Sequence, residues 1–103
     1  MEKIEKLLTF LSESPDDPFL KHALGLEYIK IGQEQRARQL FAEILDLDPS
    51  YIGTYYHYAR LLERAGELEA AKDLYEKGMI AAKNANETHA FNELKAAYED
   101  LIY

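Results

Sequence analysis

Residues 24–49 read LGLEYIKIGQEQRARQLFAEILDLDP, and residues 58–83, which begin 34 positions later, read YARLLERAGELEAAKDLYEKGMIAAK. Matching residue types coincide across this spacing at four pairs of positions: Gly32 with Gly66, Ala37 with Ala71, Leu40 with Leu74, and Phe41 with Tyr75. A period of this length is typical of stacked helical hairpins, in which one unit alone cannot bury its apolar face.

Turn signals divide the chain into six predicted helices. Asp17 is suited to cap the second helix and Pro18 to occupy its first turn, while Gly32 and Gly66 can adopt the left-handed conformation just past a helix end. The predicted helices cover residues 2–13, 18–31, 33–47, a fourth segment that ends at Gly66, 67–83, and 87 nearly to the end. No run alternates apolar and polar residues between turn signals, so the predicted fold class is all-α.

The spacing of small and large residues resembles that of the tetratricopeptide repeat (TPR) family. The first repeat resembles the family pattern through Leu24, Gly25, Tyr28, Gly32, Ala37, Phe41 and Pro49. The second does so through Tyr55, Ala59, Leu62, Gly66, Ala71, Tyr75 and Gly78. The resemblance implies a right-handed solenoid of about six antiparallel helices. Lys21 departs from the pattern, because the family usually has tryptophan at that position.

The same 34-residue frame predicts the organisation of the whole chain as a single TPR-like domain, residues 1–103. Residues 1–15 form a half-repeat helix, residues 18–51 the first repeat, residues 52–85 the second, and residues 86–103 a C-terminal capping helix. Asn92 and Glu93 fall where internal repeats bury apolar residues, and terminal repeats need a polar outer face to stay soluble. An apolar stripe that includes Leu94, Ala97 and Leu101 is predicted to pack on the fifth helix.

Composition argues against several classes of function. Nineteen acidic residues against twelve basic ones give a net charge of −7, which disfavours binding to a nucleic-acid backbone. Cysteine is absent, so neither a disulfide framework nor thiolate chemistry is predicted. No apolar run approaches the length of a membrane span, and the N-terminus lacks a secretory pattern. A cytoplasmic protein without a membrane partner is the simplest expectation.

An enzyme that uses histidine and glutamate is the least favoured alternative. His22, His57 and His89 lie on three different predicted helices, and only His89 and Glu93 are one helical turn apart. No phosphate-binding loop or nucleophile motif is present. We therefore expect no catalytic residue, no metal site and no cofactor.

The favoured hypothesis is a module that binds a protein or peptide segment. In the TPR family, one face of each repeat's first helix lines a concave groove, and the resemblance places the following residues there: Phe19, His22, Leu26, Ile29, Tyr56, Arg60, Glu63 and Arg64. Aromatic residues beside arginine are common at binding centres, because they bury a large area and keep adaptable polar ends. A solvated helix face is the alternative explanation for Arg60, Glu63 and Arg64.

A second hypothesis is self-assembly through the first helix, which looks like the second half of a repeat without its first half. Its outer face, with Ile4, Leu8 and Phe10, is then incompletely covered. Exposed apolar patches often mark sites of association, so weak homo-oligomerisation is the alternative function.

Overall fold

A computed structural model describes all 103 residues and contains only α-helices and their connections. The six helices are α1 (Glu2–Glu13), α2 (Pro18–Lys30), α3 (Glu34–Leu47), α4 (Gly53–Arg64), α5 (Leu68–Asn84) and α6 (Thr88–Ile102). The prediction of an all-α fold of helical-hairpin repeats is confirmed. None of the helices is long and apolar enough to cross a membrane.

The predicted helix cap and glycine turns are present in the structure. The Asp17 carboxylate accepts a hydrogen bond from the Leu20 N–H at 3.2 Å, and Pro18 is the first residue of α2. Gly32 and Gly66 both have a φ of +79°. The N–H after each glycine donates back five residues, from Gln33 to the Tyr28 carbonyl at 2.8 Å and from Glu67 to the Leu62 carbonyl at 2.9 Å. This bond closes a helix that ends in a left-handed residue.

The chain forms two compact units, Met1–Asp48 and Pro49–Tyr103. The first contains α1, α2 and α3, with α2 packed against both of the others. Gly25 of α2 lies directly against the Phe41 ring of α3, and Phe41 has no exposed surface. Ala37 and Ile44 are equally inaccessible. None of the residues of α1 is fully buried.

The second unit repeats this hairpin packing, with α6 as its flanking helix. In the α4–α5 pair, Ala59, Ala71 and Tyr75 have no exposed surface. Helix α6 packs on α5 and buries Leu94 and Ala97, which confirms the packing predicted for the capping helix. Residues Asn92 and Glu93 are exposed, as expected of a polar outer face.

The predicted repeat boundary between residues 51 and 52 lies close to the division between the units at Asp48 and Pro49. The single-domain organisation and the four segment limits given above stay predictions. Each unit is a helical hairpin with one flanking helix, α1 in the first and α6 in the second.

Candidate functional site

The face of α2 that carries the first four predicted site residues is aromatic and apolar. Phe19 is 68% exposed, and His22, Leu26 and Ile29 are half-buried. Their spacing of three, four and three residues keeps them on one side of the helix. The His22 ring lies 5.5 Å from the Phe41 ring, which ties this face to the core of the first unit. This face therefore offers apolar area with a single imidazole among it.

The equivalent face of α4 is aromatic and charged. Tyr56 is half-buried, and its ring meets the His57 ring edge-on, with the centroids 5.5 Å apart. Arg60 and Arg64 are exposed, one turn apart. Arg60 and Arg64 beside Tyr56, with the single carboxylate of Glu63 among them, form a strip of net positive charge, the basic strip, on a protein whose net charge is −7. Such a strip can attract a carboxylate at short range despite the overall charge.

Glu63, the remaining predicted residue of this face, contacts one residue of α5 and one of α4. Its carboxylate accepts a hydrogen bond from the Tyr75 hydroxyl of α5 and lies 3.8 Å from the Arg60 Nη1 atom. Burial and the bond to Glu63 raise the pKa of Tyr75 far above its ordinary value, so its hydroxyl stays protonated and keeps donating. Glu63 is thus fixed by Tyr75 and lies within ion-pair distance of Arg60. A buried tyrosine usually has a partner for its hydroxyl, and Tyr75 in place of the first repeat's Phe41 was the signal for this bond.

His57 adds a titratable group next to Tyr56. Burial lowers its pKa, and Arg64 lowers it further, while the charge of Glu93 on α6 opposes both effects. The imidazole is therefore neutral at physiological pH. His57 was not among the predicted site residues.

Each predicted set of four residues lies together on one helix, the first in the unit Met1–Asp48 and the second in the unit Pro49–Tyr103. The binding role of all eight residues stays a prediction. Tyr55, which the resemblance assigns to packing, is only 5% exposed, and its hydroxyl donates to the Pro49 carbonyl.

The first unit also contains a cleft of about 480 Å³ that the sequence did not indicate. Its apolar wall comes from all three helices and includes Leu8, Leu24 and Leu40. Across the cleft, the Lys21 Nζ atom lies 3.0 Å from the Glu43 Oε1 atom. Near this ion pair, the Arg36 guanidinium lies 5.6 Å from the centroid of the Tyr28 ring. The lysine at a position where the family usually has tryptophan was the one available signal for this feature.

Nothing in the arrangement assembles a metal centre. His89 Nε2 lies 3.7 Å from Glu93 Oε2, but both side chains are largely exposed and no third ligand joins them. No group of three or more histidine, cysteine, aspartate or glutamate residues is placed to hold an ion.

Comparisons with known proteins agree with the architecture. A tetratricopeptide repeat family model matches residues 28–98. A solved tetratricopeptide repeat domain protein from Salinibacter ruber is 37% identical, with a TM-score of 0.81 over 84% of this chain and 88% of that chain. A solved protein from Bordetella parapertussis is 25% identical, with a TM-score of 0.82 over 96% of this chain and 86% of that one.

A curated relative shows the same relationship in sequence. It is a TPR repeat-containing protein of Pseudomonas aeruginosa, 26% identical over 88% of this chain and 87% of its own length. The glycine turns and the small residues at the helix contacts recur after 34 residues, and the family model matches more than half of the chain. The chain therefore belongs to the tetratricopeptide repeat family.

Proposed function

We propose that the exposed faces of α2 and α4 each bind a partner protein through extended or helical segments, with an apolar anchor on α2 and at least one carboxylate on α4. Tetratricopeptide repeats are in general protein–protein interaction modules, which supports the class of function. The observation that carries the finer proposal is the exposed pair Arg60 and Arg64 beside Tyr56 on a strongly acidic protein.

The two faces have different roles in this proposal. On α2, Leu26 and Ile29 receive the apolar anchor, because both are half-buried and gain apolar burial when covered. Phe19 and His22 border that anchor. On α4, Tyr56 stacks beside the segment and Arg60 pairs with its carboxylate. A guanidinium suits this role, because its planar donors match a carboxylate in two parallel hydrogen bonds.

Glu63 and Arg64 do not contact the anchor in this proposal; Glu63 orients Arg60, and Arg64 adds positive charge to the basic strip. The Glu63 carboxylate is already bonded to Tyr75, so it limits the side-chain freedom of Arg60 before binding. A restrained side chain loses less conformational entropy when it binds, which favours affinity. Arg64 supplies the second positive charge.

The test begins with isolation of partners on the tagged protein and their identification by mass spectrometry. Binding of a purified partner is then measured by calorimetry for wild type, Leu26→Ala, Tyr56→Ala and Arg60→Ala. Each truncation is expected to cost about 1–2 kcal/mol, or roughly a 5- to 30-fold loss of affinity. Lys95→Ala removes the same charge from exposed α6 and is the matched control.

Loss of affinity in variants on either helix, with unchanged affinity in Lys95→Ala, supports binding at that helix face. Full affinity in a folded Tyr56→Ala/Arg60→Ala double variant contradicts the proposal. Equal losses in Arg60→Ala and Lys95→Ala also contradict it, because they indicate attraction by overall charge.

Self-association through α1 is a second candidate function. Phe10 is 53% exposed, which supports an apolar surface on this helix. Leu8 is 46% exposed but lies on another side, where it lines the cleft with α2 and α3, and Ile4 is half-buried. Sedimentation velocity at several protein concentrations tests it: a sedimentation coefficient that rises with concentration supports self-association, and a constant monomer value contradicts it.

A further inference from the structure

One face of α1 lacks the cover that its counterparts have in the two repeats. It consists of Lys3, Leu7, Phe10 and Ser14, which we call the open face of α1. Adding 34 to the first three positions gives Ala37, Phe41 and Ile44 of α3, and all three have no exposed surface. In α1 itself, Phe10 is half exposed, Lys3 is exposed and Leu7 is half-buried. The helix thus has the register of α3 and α5 without their burial.

What covers the equivalent face in each repeat is the preceding helix. A Cβ added at Gly25 of α2 would collide with the Phe41 ring of α3. In the second unit, a Cβ at Gly78 of α5 would lie 2.7 Å from the Tyr55 Cβ of α4. A helix that packs along the open face of α1 would therefore cover it as α2 covers α3 and as α4 covers α5.

Helix α6 of a second copy is a poor candidate for that partner, although it has the register of α2 and α4. Glu93 stands 34 residues after Ala59 and 68 after Gly25, the positions of closest helix contact. It would meet Leu7 as Gly25 meets Phe41. Burial of its carboxylate against leucine and phenylalanine would cost desolvation energy with nothing to offset it.

Helix α1 of a second copy fits better, provided that the two helices run antiparallel. A two-fold axis near residues 8 and 9 then places Leu7 of each copy against Phe10 of the other. The same symmetry brings Lys3 to the end of the opposite helix, where Glu13 and the last carbonyls lie. That end has no basic residue in its own last turn. The positive charge of Lys3 therefore complements both Glu13 and the negative end of the helix dipole.

A parallel pair would have the opposite electrostatics. It would place Lys3 beside Lys3 and Glu13 beside Glu13, and juxtaposed like charges disfavour an interface. We propose that α1 pairs with α1 of a second copy of this chain as an antiparallel, two-fold symmetric dimer centred on Leu7 and Phe10. This inference rests on the second candidate function, and it is independent of partner binding by α2 and α4.

The interface is small, so the dimer is weak. Helix α1 has twelve residues and is about 18 Å long. Interfaces of this size are typical of transient association, which depends on protein concentration. The apolar centre then contributes most of the binding free energy. Substitution of Phe10 removes two contacts from the dimer, because each copy contributes one Phe10 side chain.

Sedimentation velocity over a range of concentrations measures the dimer dissociation constant of the 103-residue protein. Phe10→Ala is expected to raise this constant by about tenfold or more. Ile80→Ala is the matched control, because Ile80 is an exposed isoleucine on α5. Circular dichroism melting shows that each variant is folded. A wild type that is monomeric at every concentration overturns the proposal, and so does an equal effect of the two substitutions.

Orientation is tested by disulfide crosslinking, which is free of background because the chain has no cysteine. A mixture of Lys3→Cys and Ser14→Cys proteins is expected to form the mixed crosslinked dimer under mild oxidation, and each variant alone much less. Preferential crosslinking of Lys3→Cys with itself overturns the antiparallel arrangement. The residues of this dimer lie on α1, whereas those proposed to bind a partner lie on α2 and α4, so failure of the dimer leaves the partner-binding proposal intact.

Discussion

The Lys21 Nζ atom lies 3.0 Å from the Glu43 Oε1 atom, and the lysine side chain is only 10% exposed whereas the glutamate side chain is 41% exposed. The two partners therefore differ in what they lose when separated. A buried ammonium without its carboxylate has little access to water, but the carboxylate can be solvated without the ammonium.

Glu43→Ala is accordingly expected to lower the free energy of unfolding by about 1–2 kcal/mol, because it leaves the Lys21 charge unpaired. Lys21→Met is expected to change it by less than about 1 kcal/mol, since a thioether fills the space without a charge. Urea denaturation of both variants measures the difference. An equal or larger loss in Lys21→Met would contradict this account of the pair.

Alanine substitutions at Gly78 and Gly53 distinguish steric crowding from the intrinsic preference of a helix for alanine over glycine. A Cβ at Gly78 would lie 2.7 Å from the Tyr55 Cβ and 3.1 Å from the Leu94 Cδ1 atom, whereas nothing lies within 4 Å at Gly53. Gly78→Ala is expected to cost about 1–3 kcal/mol through overpacking. Gly53→Ala is expected to stabilise by up to about 1 kcal/mol, as alanine commonly does in a helix. Stabilisation by both would show that α4, α5 and α6 can move apart at little cost.

Alanine substitutions at Gly32 and Gly66 measure the cost of a positive φ where steric crowding is absent. No atom lies within 4 Å of a Cβ at either position, but both have a φ of +79°, which disfavours any side chain with a Cβ. Each Gly→Ala substitution is expected to cost about 1 kcal/mol, measured by thermal or urea unfolding. Asparagine tolerates this conformation better, so Gly→Asn should cost less. Two neutral alanine variants would be incompatible with the turn geometry.

The turns and close contacts could be predicted because their causes are local or repeat along the chain. Asp17, Pro18 and the two glycines act through their own backbone chemistry, and small residues recur at the period of 34. The remaining differences are one or two residues at helix ends. The third helix begins at Glu34 rather than residue 33 and the fourth ends at Arg64 rather than 66, and the second, fifth and sixth helices are shifted by one residue at one or both ends. Fraying and capping choices set such ends.

The polar contacts between helices could not be predicted in the same way. Lys21 and Glu43 are 22 residues apart, and Tyr75 and Glu63 are 12 apart, on different helices in each case. Whether such side chains meet depends on rotamers and on the angle between two helices, and neither repeats in the sequence. The eight residues proposed to bind a partner share this limit, because a helix face can be predicted but its ligand cannot.

His57 predicts a dependence of stability on pH. Its pKa in the folded protein is lowered, first by burial, below the value of about 6.5 for an unfolded chain. The folded state thus binds this proton less tightly, so the contribution of His57 is complete above the unfolded pKa and is lost as the pH falls towards the folded one. Urea unfolding between about pH 7.5 and pH 5 should show a smaller loss of stability in His57→Gln than in wild type. Identical losses would argue against a role for burial.

Tyr55 and Tyr56 are adjacent in sequence but predict opposite phenotypes. Tyr55 is buried, its hydroxyl donates to the Pro49 carbonyl, and its Cβ lies close to Gly78. Tyr55→Ala is therefore expected to cost about 3–5 kcal/mol of unfolding free energy through the cavity it leaves. Tyr56 is only half-buried, so Tyr56→Ala is expected to cost roughly 1 kcal/mol. Tyr55→Phe, which keeps the ring and removes the hydroxyl, should cost much less than Tyr55→Ala, because the loss is limited to one hydrogen bond. A Tyr56→Ala variant as unstable as Tyr55→Ala would place Tyr56 in the core and remove it from the proposed binding face.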